Sequence, residues 1–244
     1  MCLIVVALDV APRYPLLIAA NRDEQHARPT EVAAWWSEQP HMLAGRDLQA
    51  GGTWLAVDRR GRIAAVTNIR DPQPRAAATS RGALVADYVS GHESAERYAA
   101  HAVRAGAGFG AFNLLLFDGN ELHYTSNRAA ATRLGAGLHV FSNAPRKVEW
   151  PKITSARAGA ERAATHEAPL EPLFELLAER YATSPPEQRY RTAHFVVGPT
   201  YGTRCSTVLL VDASGQVTFA ERTFDAHGRP SGEMRENFTV DGAH

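Results

Sequence analysis

The chain has 244 residues, with 26 Lys plus Arg against 26 Asp plus Glu, so its formal charge is zero. That balance argues against a general nucleic-acid binder, whose phosphate contacts call for a basic excess. Its 45% hydrophobic and 21% charged residues are those of a folded globular chain, and no apolar run approaches the roughly 20 residues of a membrane-spanning helix. The run from Cys2 to Leu8 lacks a basic leader, and two cysteines, Cys2 and Cys205, cannot build a disulfide framework. The expected setting is the reducing cytoplasm, and with no linker in the chain one domain is expected over 1–244.

In chain order, Cys2 to Leu8 and Leu16 to Asn21 read as short apolar strands, with Pro12 and Pro15 punctuating a turn between them. Trp35 and Trp36 fall in a polar stretch that reads as a loop. Thr53 to Asp58 and Ile63 to Asn68 flank Arg59-Arg60-Gly61-Arg62, a hairpin signature, and Asp71 to Thr79 reads as a loop. Helical spacing follows in Leu84, Val85, Tyr88 and Val89, then in Ala95, Tyr98, Ala99 and Ala102. Gly106 to Gly110 ends that helix and is no phosphate cradle. Ala111 to Phe117 and Glu121 to Thr125 form a hairpin across Asp118-Gly119-Asn120, and His139 to Ser142 reads as one more strand. Leu170, Leu173, Phe174, Leu177 and Tyr181 return to helical spacing, and Thr183 to Glu187 reads as a loop. Ser206 to Asp212 and Gln216 to Phe224 close the chain as a hairpin across Ala213-Ser214-Gly215. Strand pairs, helices, then strand pairs again predict an α+β fold of antiparallel sheets rather than a doubly wound parallel one.

Cys2 is the most informative residue. A small side chain after the initiator methionine permits removal of Met1, and Cys2 would then carry both a thiol and a free α-amine. Those groups titrate at about 8.5 and about 7.7–8.0, so one residue would hold nucleophile and base together. The plainer alternative is a small hydrophobe opening a buried strand. Asn21-Arg22-Asp23-Glu24 reads either as a solvated strand exit or as charge brought beside a hairpin-paired Cys2. Asn68, Asn143 and Arg204 each sit at the end of an apolar run. Singly they are turn residues; together they supply the amide donors and guanidinium that acyl transfer uses. Gly52, Thr53 and Trp54 read as a pocket wall or as a Gly-rich turn into a strand. The histidines show no metal-ligand spacing, so no metal site is expected.

The start Met1-Cys2-Leu3-Ile4, then Asn21-Arg22-Asp23-Glu24, then Gly51-Gly52-Thr53-Trp54 resembles the NRDE family, that of transport and Golgi organisation protein 2. Ala111 to Leu115, Val140 to Ala144 and Arg204 to Thr207 add to the resemblance, which covers nearly the whole chain. It implies an N-terminal nucleophile (Ntn) hydrolase fold, a four-layer α-β-β-α sandwich of two antiparallel sheets. More distantly, the arrangement is similar to the choloylglycine hydrolase and penicillin V acylase group. By motif, that likeness assigns catalysis to Cys2, Arg22, Asp23, Asn68, Asn143 and Arg204; Asn21, Gly52, Thr53 and Trp54 are the residues expected to line the substrate. Here Arg22 and Asp23 are adjacent, whereas that group spaces its pair three apart.

Two functions follow as expectations. One is a cysteine amidohydrolase that cleaves a small acylated amide and requires no cofactor. The other keeps the fold as a non-catalytic carrier of an acyl lipid or non-covalent haem, since the family is associated with haem trafficking and lipid homeostasis; His26 is then the first candidate for the iron ligand.

Overall fold

The computed structural model describes residues 2–71, 77–180, 185 and 188–242. They form two compact units, one from residues up to 27 together with 136–239, the other from 28–135 with the extreme carboxyl end.

The first unit is a six-stranded antiparallel sheet in the order β10-β1-β2-β11-β12-β13. Its strands are β1 (Cys2–Ala11), β2 (Tyr14–Gln25), β10 (Gly137–Phe141), β11 (Tyr201–Val211), β12 (Gln216–Phe224) and β13 (Pro230–Thr239). Two helices, α3 (Pro151–Ala164) and α4 (Leu170–Leu177), cover one face. Leu3, Val5 and Ala7 of β1 and Leu17 and Ala19 of β2 alternate toward them and meet Ala156, Ala160, Phe174 and Leu177. Ile4, Val6, Ile18 and Leu209, on the opposite face, are buried as well. Burial on both faces explains why these strands read as unbroken apolar runs.

The second unit is a seven-stranded antiparallel sheet running β3-β4-β5-β6-β7-β8-β9 in sequence order. It comprises β3 (Thr30–Trp36), β4 (Gln39–Asp47), β5 (Leu55–Asp58), β6 (Ile63–Asn68), β7 (Phe112–Phe117), β8 (Leu122–Ser126) and β9 (Ala129–Leu134). Helices α1 (Arg81–Ser90) and α2 (Ala95–Arg104) lie on one face, and a short one, α5 (Arg189–Thr192), belongs to the first unit. Leu84, Val85, Tyr88 and Val89 of α1 and Ala95, Tyr98, Ala99 and Ala102 of α2 are the residues buried, as their spacing predicts. Two antiparallel sheets, each with helices on one face, supply the layers of the α-β-β-α class.

Several expectations change. Trp35 and Trp36 are not in a loop: they end β3, where Trp36 is buried and its Nε1 donates to the Ala44 carbonyl at 3.0 Å. Trp35 is half-buried, with the Arg59 guanidinium 4.1 Å over its ring. Thr53 and Trp54 precede β5, which starts at Leu55. Elements β3, β4, β9, β13 and α3 were not expected. β9 and β13 are largely exposed sheet edges: β9 is a run of small alanines followed by Thr132 and Arg133, and β13 is mostly polar, so neither carries the large apolar residues that mark an inner strand. The helix α3 is built on alanines, with Pro151 at its first position, and shows little amphipathic contrast. Most of the loops expected at 71–79 and 183–187, and Tyr181, lie outside the described residues.

Candidate active site

β1 opens at Cys2, an inner strand between β10 and β2. Register sets Cys2 opposite Arg22, and Arg22 opposite Cys205, so these side chains form one row across three strands. The next pairs, Leu3 with Asn21 and Asn21 with Ser206, point to the helical face. Arg22 and Asp23, being adjacent in an extended strand, therefore leave the sheet on opposite sides.

β10 pairs with β1 through Phe141 and Ile4, which carries Asn143 alongside the start of β1. The Cys2 backbone nitrogen donates to Asn143 Oδ1 at 2.5 Å, and Asn143 is buried. Asp23 is buried too; its Oδ1 accepts from Thr203 Oγ1 at 2.6 Å and its carbonyl accepts from Tyr201 Oη at 2.8 Å. Burial pushes the Asp23 carboxyl above its usual range, against the pull of the amino terminus, Lys152, the Thr203 hydroxyl and Arg22. Arg22 is 5% exposed, with Nη2 3.9 Å from Glu24 Oε2. Behind it Cys205 is a buried thiol whose titration is driven well up by burial and by Glu221.

Asn21 works as a clamp. Its Nδ2 donates to the carbonyls of Leu177 and His194, both at 2.8 Å, and its Oδ1 accepts from Ser206 Oγ at 2.6 Å. It thereby ties β2 to the end of α4 and to the approach to β11. Arg204 is the extra residue of a bulge between Thr203 and Cys205, and its Nη1 donates to the carbonyls of Gln25 and His26 at 3.0 and 3.2 Å. His26 is half-buried with Nε2 2.9 Å from the Gly198 carbonyl oxygen. Among the described residues no three His, Cys, Asp or Glu side chains gather as a metal cluster.

Cys2, Arg22, Asp23 and Asn143 are thus brought together in the first unit, with Asn21 beneath them and Arg204 at the far end of β2. Asn68, Gly52, Thr53 and Trp54 belong to the second unit. Asn68 ends β6 and is exposed. Gly52 lies against the first turn of α1, where a Cβ would fall 2.5 Å from the Gly82 carbonyl carbon. Thr53 donates through its backbone nitrogen to the Gly82 carbonyl at 3.3 Å and through Oγ1 to the Leu55 carbonyl at 3.2 Å. Trp54 rests its ring on Gly45, where a Cβ would come within 2.3 Å of it.

Sequence reasoning missed Lys152. It is 0% exposed, in the first turn of α3, and its Nζ has no hydrogen-bond partner among the described residues. Burial pulls its titration down, opposed by the charges of Asp23 and Cys2. The ring of Trp150 lies 5.7 Å from Nζ. A signal did exist: a lysine at a helix start opposes the helix dipole, which favours acidic side chains there.

An inner strand that opens on a cysteine, within a pair of helix-covered antiparallel sheets, defines the N-terminal nucleophile hydrolase fold. Solved structures share it. A mutant of the conjugated bile acid hydrolase from Clostridium perfringens superposes with a TM-score of 0.59 at 8% identity, over 99% of this chain and 93% of that one. The Caenorhabditis elegans ortholog of N-acylethanolamine-hydrolyzing acid amidase gives 0.53 at 10% identity, over 86% of this chain and 92% of that one. Within that fold, the chain belongs to the Transport and Golgi organisation 2 family, whose model matches residues 1–226. The Transport and Golgi organization protein 2 homolog of Bos taurus is 33% identical, over 91% of this chain and 93% of that protein. No helix among the described residues is long and apolar enough to cross a membrane.

Proposed function

We propose that this protein is a cysteine amidohydrolase acting on a small acylated amide. The observation that carries the reading is the hydrogen bond from the Cys2 backbone nitrogen to Asn143 Oδ1. Once Met1 is removed, that nitrogen is the α-amine, held by a side-chain acceptor from the neighbouring strand beside its own thiol. The fold shared with two hydrolases, one of them an N-acylethanolamine-hydrolyzing acid amidase and the other a conjugated bile acid hydrolase, supports the choice of bond.

In this reading Cys2 Sγ forms a bond to the acyl carbonyl carbon while the thiol proton passes to the α-amine. The amine returns that proton to the leaving nitrogen as the C–N bond breaks. Water then attacks the thioester and releases the acid and the free thiol. Arg22, in the row with Cys2, supplies fixed positive charge on the sulfur side. Asp23 sits beneath the amine on the helical side. Asn143 orients the amine. Asn68 and Arg204 keep the roles assigned by resemblance, Gly52, Thr53 and Trp54 keep the pocket-wall role expected from their residue types, and none of the five enters these steps.

Intact mass comes first: loss of Met1 is expected, and its full retention in a cell able to remove it contradicts the mechanism. An acyl electrophile should then label the mature protein once, at Cys2. Cys2→Ala should abolish labelling and Cys205→Ala should retain it, because Cys205 is buried with a poorly ionised thiol. Equal labelling of both variants would sink the assignment.

A further inference from the structure

Only two of the 26 basic side chains are lysines, Lys147 and Lys152; the other basic residues are all arginine. Lys147 is exposed, whereas Lys152 is sealed. A fully buried amine with no hydrogen-bond partner is costly, and such a group needs a local counter-charge.

The surroundings of Lys152 fix its backbone and leave its amine to electrostatics. Pro151 starts α3, and the Lys152 carbonyl oxygen lies 3.2 Å from both His194 Nε2 and Ser155 Oγ. His194 is itself held, with Nδ1 2.8 Å from the Leu176 carbonyl oxygen and Nε2 2.8 Å from Ser155 Oγ. α3 packs on β1 and β10, the two strands that carry Cys2 and lead to Asn143. Asp23 points to the same helical face. The charged and titratable groups acting on the Asp23–Lys152 pair are therefore Arg22 from the other face of β2, Cys2 of β1 with the amino terminus ahead of it, and His194 with Glu179 behind it.

We propose that Lys152 is a positioning residue of the Cys2 site, the buried counter-charge that keeps Asp23 a carboxylate beneath the amino end of β1. It touches neither substrate nor reacting atoms. Its effect passes through Asp23 and through the positive field it adds where the sulfur becomes an anion. The proposal deepens the cysteine reading, but its tests need no substrate, so each can fail without the other.

The unmutated protein provides the first test. With [ε-13C]lysine it gives two side-chain signals. The Lys152 signal should titrate below the Lys147 signal and should shift when Cys2 is alkylated with iodoacetamide, while Lys147 stays put. Two signals that titrate together, with no response to alkylation, overturn the proposal.

The second test follows the alkylation rate of Cys2 against pH, with the modified peptide located by mass. Lys152→Met keeps the volume and removes the charge. It should slow alkylation at neutral pH about tenfold and move the profile about one pH unit toward alkaline. Lys152→Arg should recover part of the rate. A merely structural lysine would alter stability and leave the profile in place, and a Lys152→Met rate within about twofold of the parent across the range overturns the proposal. Should Lys152→Met fail to fold, the lysine spectrum of the unmutated protein decides.

Discussion

At the scale of single residues, buried polar groups carry most of the information. His194 spans α3 and α4 with its ring nitrogens engaged, and burial above all holds its protonation below the ordinary value of 6.5. The unfolded chain binds that proton near the ordinary value, whereas the folded chain binds it only at lower pH. Stability from this site is thus present above the unfolded value and lost as pH falls through it. The midpoint of urea unfolding should decline between about pH 7 and about pH 5, and His194→Gln should flatten that slope. An unchanged slope in the variant would place the acid sensitivity elsewhere. Much of the site was legible residue by residue: Cys2, the Asn21 to Glu24 motif and Asn143 stand at ends of apolar runs where polar side chains have no packing reason to be. Lys152 was not legible, because its meaning comes from the way α3 lies on β1, and no motif partner marks it in sequence.

At the scale of elements, the amphipathic helices and the inner strands other than β4 were readable, whereas of the sheet edges only β10 was. The β12 boundaries match the expected ones, and the buried positions of α1 and α2 match their periodicity. Edge strands carry polar side chains to discourage pairing with other chains, which erases the pattern that would announce them. The approach of the Gly51-Gly52 segment to α1 is a second case in which contact, rather than local preference, explains a residue. A Cβ on Gly82 would fall 2.9 Å from the Thr53 carbonyl oxygen, and one on Gly52 would fall 2.5 Å from the Gly82 backbone. Gly52→Ala and Gly82→Ala should each cost about 1–3 kcal/mol through overpacking, read from chemical denaturation. A cost below about 0.5 kcal/mol in both would show that this junction yields easily.

At the scale of the whole molecule, the first unit is assembled from both ends of the chain. β2 pairs with β1 on one side and with β11, some 180 residues later, on the other. The row Cys2, Arg22, Cys205 thus exists only once the carboxyl-terminal strands have arrived. A chain ending before β11 should expose the long edge of β2, lose the Asn21–Ser206 and Asp23–Thr203 bonds, and give no cooperative unfolding transition. A cooperative transition in that truncated chain would show that β1, β2 and β10 with their helices fold without it.

Sealing one of only two lysines also limits what amine chemistry can reach. Lys147 follows Asn143 by four residues, and Asn143 grips the amino end of β1. The accessible primary amines of the described surface are therefore gathered at one end of the first unit. Coupling through amines to a bead or sensor chip will present the molecules in a near-uniform orientation with the Cys2 end toward the support. Substrate capture measured that way will be weakened by the attachment itself.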